Sequence, residues 1–341
     1  MTRKILRLSI TTLALLTAPI VARAETGPRY HFTGEIKIGG EGGWDYLSID
    51  ERAHRLYVTH GTKVIVIDLE SHKIAGEILD TPGVHGFALA PELHLGFASN
   101  GTEAKVSVVD LKTLRTLAKV PTGEKPDAIL FEPSSSAVYA FNGKGKSATI
   151  FDAKSHEVLA TTPLPGKPEF AACDPAAGRV YCNIEDKSEV VAIDTKSHAV
   201  VNTWPIAPGE EASGMAIDLA HHRLFLGCGN QMMIMMDSSN GHVAGSVPIG
   251  TGVDANAFDP GTQLAFSSNG EGTVTIVHED TADKLIVAQT LATQRGARTM
   301  ALDPLTHKIY LAVAEIDPTS PPKGRPKFIP GTFKILIYEL K

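Results

Sequence analysis

Leu56-Tyr57-Val58-Thr59, followed by Val64-Ile65-Val66-Ile67-Asp68, is the stretch that decides the fold. Apolar and β-branched residues crowd into two short runs, and His60 ends the first of them. That composition reads as two paired strands rather than a helix. The stretch also recurs. An aromatic fills the Tyr57 column again at Phe97, Tyr139, Tyr181, Phe225, Phe266 and Tyr310. Seven residues before each stands Asp50, Ala90, Glu132, Asp174, Asp218, Asp259 or Asp303, at spacings of 40 to 44. The apolar run ending in an acid returns at Val106 to Asp110, Thr149 to Asp152 and Val190 to Asp194. Three columns in step over seven units make an internal repeat.

Each unit reads as four strands. Strand A is short and apolar, as in Leu47-Ser48-Ile49, and a tight turn follows it. Strand B carries the aromatic and strand C ends in the acid. Strand D is a stretch such as Lys73 to Leu79 or Val243 to Ile249. No stripe of apolar residues three and four apart recurs, which excludes helical repeats. Seven such units predict an all-β, seven-bladed β-propeller with four-stranded blades, each sheet buried against its neighbours. The last unit, Gly296 to Lys341, holds strands A, B and C and then the chain ends. Its fourth strand is expected at the front, because His31 to Gly39 matches His242 to Gly250 position by position. The N-terminal strand would then close the last blade and hide two sheet edges.

These motifs have a family likeness. Leu56-Tyr57-Val58-Thr59 with Val64 to Asp68 resembles the YVTN repeat of the YncE-like seven-bladed propellers, over nearly all of the chain after its leader. The motif asparagine is matched at Asn100, Asn142 and Asn269 and shifted by one at Asn183. His60, Cys228 and Val313 replace it elsewhere. The resemblance implies the fold. Function stays open, since such propellers serve as binding proteins, subunits of redox enzymes and hydrolases.

Composition narrows the classes. The 341 residues include 43% hydrophobic side chains, 31 glycines and 21 prolines, which suits a globular, turn-rich chain. Residues 1–24 read as a signal peptide: Arg3, Lys4 and Arg7, a short apolar run from Leu8 to Val21, and Ala22-Arg23-Ala24 at the expected cleavage point. Nothing is apolar for long enough to span a bilayer. Residues 25–341 are then the propeller, and the expected location is the periplasm. Losing Arg3, Lys4, Arg7 and Arg23 with the leader takes the formal charge from −6 to −10. So acidic a surface repels phosphate backbones and argues against a nucleic-acid partner. Cys173, Cys182 and Cys228 show no metal or redox spacing and read as small buried residues. No GxSxG, HExxH, Walker, GxGxxG or CxxCH motif is present. Two tryptophans cannot supply the tryptophan-rich repeat of a quinoprotein.

The chemistry collects in one further column. Five residues before each member of the Asp50 column stand Asp45, His85, Asp127, Glu169, Ser213, Asp254 and Arg298. At the start of the innermost strand of a propeller, these side chains are expected to ring the central channel. Converging carboxylates repel and raise one another's pKa unless a cation, Arg298 or His85 offsets them. Asp127, Glu169, Asp254 and His85 are candidate ligands for calcium or another divalent cation. Trp44, His60 and Asn100 are expected beside the ring, on the face shared by the D–A and B–C loops. The long B–C insertion Glu315 to Phe333, proline-rich and carrying Lys323, Arg325 and Lys327, falls on that face as a flap. His72, His156, His198 and His242 read as exposed C–D turn residues. Met232, Met233, Met235 and Met236 read as packing in a strand C, and His278-Glu279-Asp280 as a solvated loop. The leading functional reading is an exported propeller binding a small molecule or a periplasmic protein at the mouth. The alternative is a divalent-cation-dependent hydrolase or lactonase. A non-catalytic subunit of a redox complex comes third.

Overall fold

The computed structural model describes residues 29–281, 283–320 and 326–341. The leader expected at residues 1–24 lies outside them, as do residues 321–325 of the insertion, with Lys323 and Arg325. Seven four-stranded antiparallel sheets form the blades of a β-propeller. Blade 1 runs outward through strand A, Trp44–Asp50, B, Arg55–His60, C, Lys63–Asp68, and D, Lys73–Ile78. The next five blades repeat this order, with strands A at Val84–Ala90, Pro126–Glu132, Pro168–Asp174, Ala212–Asp218 and Val253–Asp259. In blade 7, Thr299–Asp303, Lys308–Val313 and Lys334–Leu340 are joined by Tyr30–Lys37 as the outer strand. The closure read from the His31 and His242 match is therefore present. Innermost strands touch in cyclic order, and that of blade 7 meets that of blade 1. Among the described residues no helix is long and apolar enough to cross a membrane.

The aromatic column explains how flat sheets become a ring. Strands B and C are buried on both faces because a neighbouring blade lies on each side. Tyr57, Phe97, Tyr139, Tyr181, Phe225, Phe266 and Tyr310 are all at most 2% exposed. Each sits in the apolar cluster that its own blade shares with the next. Tyr57 stacks on Phe87 at 5.0 Å and Phe225 on Phe258 at 5.0 Å, in both cases against strand A of the following blade. Truncating one such ring costs about 3–5 kcal/mol in a well-packed core.

The acidic columns have a local cause as well. The strand-A acid folds back to accept backbone N–H groups of the A–B turn, as Asp50 does from Arg52 and Ala53 and Glu132 from Ser134 and Ser135. The acid ending strand C does the same for the C–D turn, as at Asp110 with Lys112 and Thr113. Both are short-range carboxylate turns, which leaves these columns structural. His72, His156, His198 and His242 lie between strands C and D as expected, but only His72 and His242 are exposed, and His156 and His198 are half-buried. Met233, Met235 and Met236 are fully buried. Cys173 faces Val180 and Cys182 faces Ala171, so the two thiols are not opposed, and all three cysteines are free.

Ring closure makes a direct test. Tyr30 is 2% exposed, donates its hydroxyl to the His307 carbonyl at 2.6 Å and packs on Phe266, while Ile36 fills the cluster between blades 7 and 1. Deleting Arg29 to Ile38 removes both anchors, and urea denaturation should show a loss of about 4 kcal/mol or more. A truncated chain as stable as the parent would contradict this closure.

Candidate functional site at the channel mouth

A repeated backbone irregularity places the ring column. In blade 1 Trp44 pairs with His60 and Leu47 with Val58, so Asp45 and Tyr46 together face Thr59. The same extra residue recurs at the start of strand A in blades 2 to 5, and in blade 6 it is Asp254. Such a β-bulge bends its strand and re-aims the side chain it carries. The bulged segments are tied from blade to blade. Ser99 donates its hydroxyl to the Asp127 carbonyl at 2.5 Å, and Asn183 Nδ2 donates to the carbonyls of Ser213 and Gly214 at 2.8 and 3.1 Å. Ser268 donates to the carbonyl of Arg298 in the same way.

The ring side chains meet in three groups. His85 Nδ1 lies 2.7 Å from Asp45 Oδ2 and 3.5 Å from Asp127 Oδ1. Arg298 Nε approaches Asp254 Oδ2 at 3.2 Å, and Ser213 donates its hydroxyl to Asp254 Oδ1 at 3.3 Å. Glu169 pairs with Lys167, which also holds Glu185. Burial raises Asp254 to about 7, with Asp45 and Asp127 adding to the rise and Arg298 and Ser213 opposing it. Burial and the Asp127 charge likewise raise Glu169 to about 7 against the pull of Lys167. Asp127 is raised by burial and by Asp45, although His85 opposes the shift. Burial pushes His85 down, yet its hydrogen bond to Asp45 and the charges of Asp127 and Asp45 leave it raised. The mouth is thus an acidic, partly dehydrated site with too little positive charge of its own.

Below the acids two aromatic rings reach across the channel. Tyr46 of blade 1 and Phe170 of blade 4 stack with ring centres 4.2 Å apart, across the axis between blades that are not neighbours. The Tyr46 hydroxyl is buried without a hydrogen-bond partner. Burial, then the charges of Asp127, Glu169, Asp45 and Asp254, hold it protonated well above the usual phenol range. Neither aromatic was singled out in the sequence, nor was Lys167. The signal is the column one residue after the ring, where Tyr46 and Phe170 stand among Gly86, Ala128, Gly214, Ala255 and Thr299.

The three side chains expected beside the ring have different places. Trp44 lines a cavity of about 610 Å³ with Arg298, Pro326 and Phe328, its ring 4.6 Å from Phe328 and 4.9 Å from Phe333. His60 is buried against Phe333 at 4.5 Å, its pKa lowered by burial and by Lys63. Asn100 is fully buried and donates to Glu103 and Ser107, both at 2.8 Å, so it braces the B–C turn. Asn142 and Asn269 brace theirs in the same way. The structure therefore brings Trp44 to the mouth and not Asn100. The described parts of the insertion form a hairpin, with Ile316 bridged to Phe328 and Asp317 N donating to the Lys327 carbonyl at 2.9 Å. Through Phe328 and Phe333 it seats on Trp44 and walls one side of the mouth.

A solved structure of hydrazine synthase from Kuenenia stuttgartiensis is similar in fold, with a TM-score of 0.52 and 15% sequence identity. The alignment covers 73% of this chain and 98% of that one. At that identity the likeness shows a shared propeller fold and nothing about activity. No protein-family model and no curated protein matches the chain.

The raised acids set a pH dependence. Asp254 and Glu169 ionise near 7 when folded and near about 4 when unfolded, so between those values the folded state binds more protons. Stability should fall as pH rises through that window, and the raised His85 acts in the same direction. Melting temperatures from about pH 5 to pH 8 should decline for the parent and decline less for Asp254→Asn with Glu169→Gln. Equal slopes in the two proteins would mean that these acids are not perturbed by folding.

Proposed function

We propose that this chain is an exported propeller of the YVTN-repeat type that binds a small, positively charged ligand at its channel mouth. The observation behind this reading is the convergence of Asp45, Asp127, Glu169 and Asp254 from four blades into a partly dehydrated mouth. A cationic ligand would supply the charge that His85, Lys167 and Arg298 leave short, and would relieve the raised pKa values. Trp44, Pro326 and Phe328 offer an apolar wall for the rest of such a molecule. Tyr46 and Phe170 narrow the channel below the mouth. The basic, apolar leader sequence supports export to the periplasm.

A second reading rests on the geometry of three residues. One ligand atom from each of Asp45, His85 and Asp127 lies within 4.8 Å of the other two, a spacing that fits a divalent cation. A cation held there would polarise a carbonyl, and this is the basis of the hydrolase or lactonase alternative. Glu169, with a pKa of about 7, is suited to exchanging a proton near neutrality in such a reaction. The redox-subunit reading has no residue of the mouth behind it.

Calorimetric titration of the purified chain with calcium and with a short alkyl diamine is the test. Binding in the range up to about millimolar is expected. Asp127→Asn combined with Glu169→Gln should weaken it at least about tenfold, or about 1.4 kcal/mol. Calcium affinity without diamine affinity would favour the metal reading. No heat from either probe, or equal heats in parent and variant, would remove the mouth as a cation site.

A further inference from the structure

On the opposite face, where turns of blades 5 and 6 meet, three metal-ligating side chains come together that the channel does not use. Asp218 ends strand A of blade 5 and gives one carboxylate oxygen to its own turn, accepting from the Ala220 N–H at 2.9 Å. Its other oxygen lies 2.5 Å from His221 Nδ1. Glu279, on strand C of blade 6, brings Oε2 to 3.7 Å from the same nitrogen. One ligand atom of each residue lies within 4.8 Å of the other two.

Glu279 points to a missing ligand. The sequence placed it in a solvated loop, but strand C of blade 6 runs Thr273–Thr281 and pairs with Lys284–Ala292. This longer hairpin carries Glu279 onto the ladder opposite Leu285, where it is 3% exposed. Neither of its carboxylate oxygens accepts a hydrogen bond. A buried carboxylate without donors is costly and is normally paired or bound to a metal. Burial and the facing Asp218 push Glu279 up to about 7, with His221 and Arg223 offsetting part of the rise. Arg223 directs its guanidinium at Asp237 and Asp283, at 3.1 and 3.2 Å.

We propose that Asp218, His221 and Glu279 form a site for a divalent transition-metal ion of the zinc type, clamping blade 5 to blade 6. One imidazole and two carboxylates are a borderline donor set, suited to zinc with three protein ligands and a water. Calcium needs six to eight oxygens, and this site offers a nitrogen and a crowded pair of carboxylates. The ion would take the place of the hydrogen bond between His221 Nδ1 and Asp218 Oδ2. His221 is 42% exposed at its side chain, which leaves the fourth position open to water.

Zinc titration by calorimetry, with melting curves at each zinc level, tests this on the full chain. The parent should bind an equivalent of zinc that raises its melting temperature, because an ion held between blades stabilises only the folded state. Glu279→Gln should lose that equivalent, or bind it at least about tenfold more weakly, while melting no lower than the parent without zinc. His221→Ala changes an exposed side chain and should lose the same equivalent, which covers a failure of the first variant to fold. Asp127→Asn, at the mouth, should keep it. Zinc binding that survives both Glu279→Gln and His221→Ala, or is lost in Asp127→Asn alone, would overturn the site, as would no zinc effect in the parent.

Discussion

A carboxylate at the mouth of this propeller is held away from water by the blades on either side of it, and four such groups share the space. That crowding of dehydrated negative charge is the constraint on which the site depends. Asp254 and Glu169 are pushed to about 7 because neither burial nor mutual repulsion is fully compensated by His85, Lys167 or Arg298. A monomeric propeller needs no such ring to fold. Its blades are joined by apolar clusters elsewhere, so the acids add strain that a ligand can relieve.

Folding and site share one backbone device. The aromatic column draws each blade onto strand A of the next, and this fixes the radius at which the seven innermost strands stand. The bulge at the start of strand A then turns one polar side chain per blade towards the axis, from Asp45 through Asp254. Ser99, Asn183 and Ser268 bind the carbonyls of the following blade at that level, so the ring positions are held by their neighbours as well as by their own strands. Across the axis Tyr46 and Phe170 stack on each other, which narrows the channel below the mouth.

The repeat made the architecture legible, because register and blade number follow from columns at fixed spacing. Even the closing strand could be read, from the match of His31 to Gly39 with His242 to Gly250. The ring was legible for the same reason, since equivalent positions in equivalent blades must share one environment. Positions in turns were harder. Asn100 ends strand B at the mouth side, in register with Val84 and Lys105, yet its amide is consumed by Glu103 and Ser107. Glu279 looked solvated because the extra length of one hairpin is invisible in a column of unequal loops. Tyr46 and Phe170 meet across the axis, and a contact between non-neighbouring blades leaves no local pattern.

The central claim, that burial rather than chance places these acids together, is tested most directly by carbon-13 NMR. Carboxyl carbons of Glu169 and Asp254, assigned through Glu169→Gln and Asp254→Asn, would be followed through a pH titration of the folded chain. The account expects both to titrate with midpoints near 7. Midpoints in the ordinary carboxylate range, near about 4, would contradict it and reduce the ring to a row of solvated side chains.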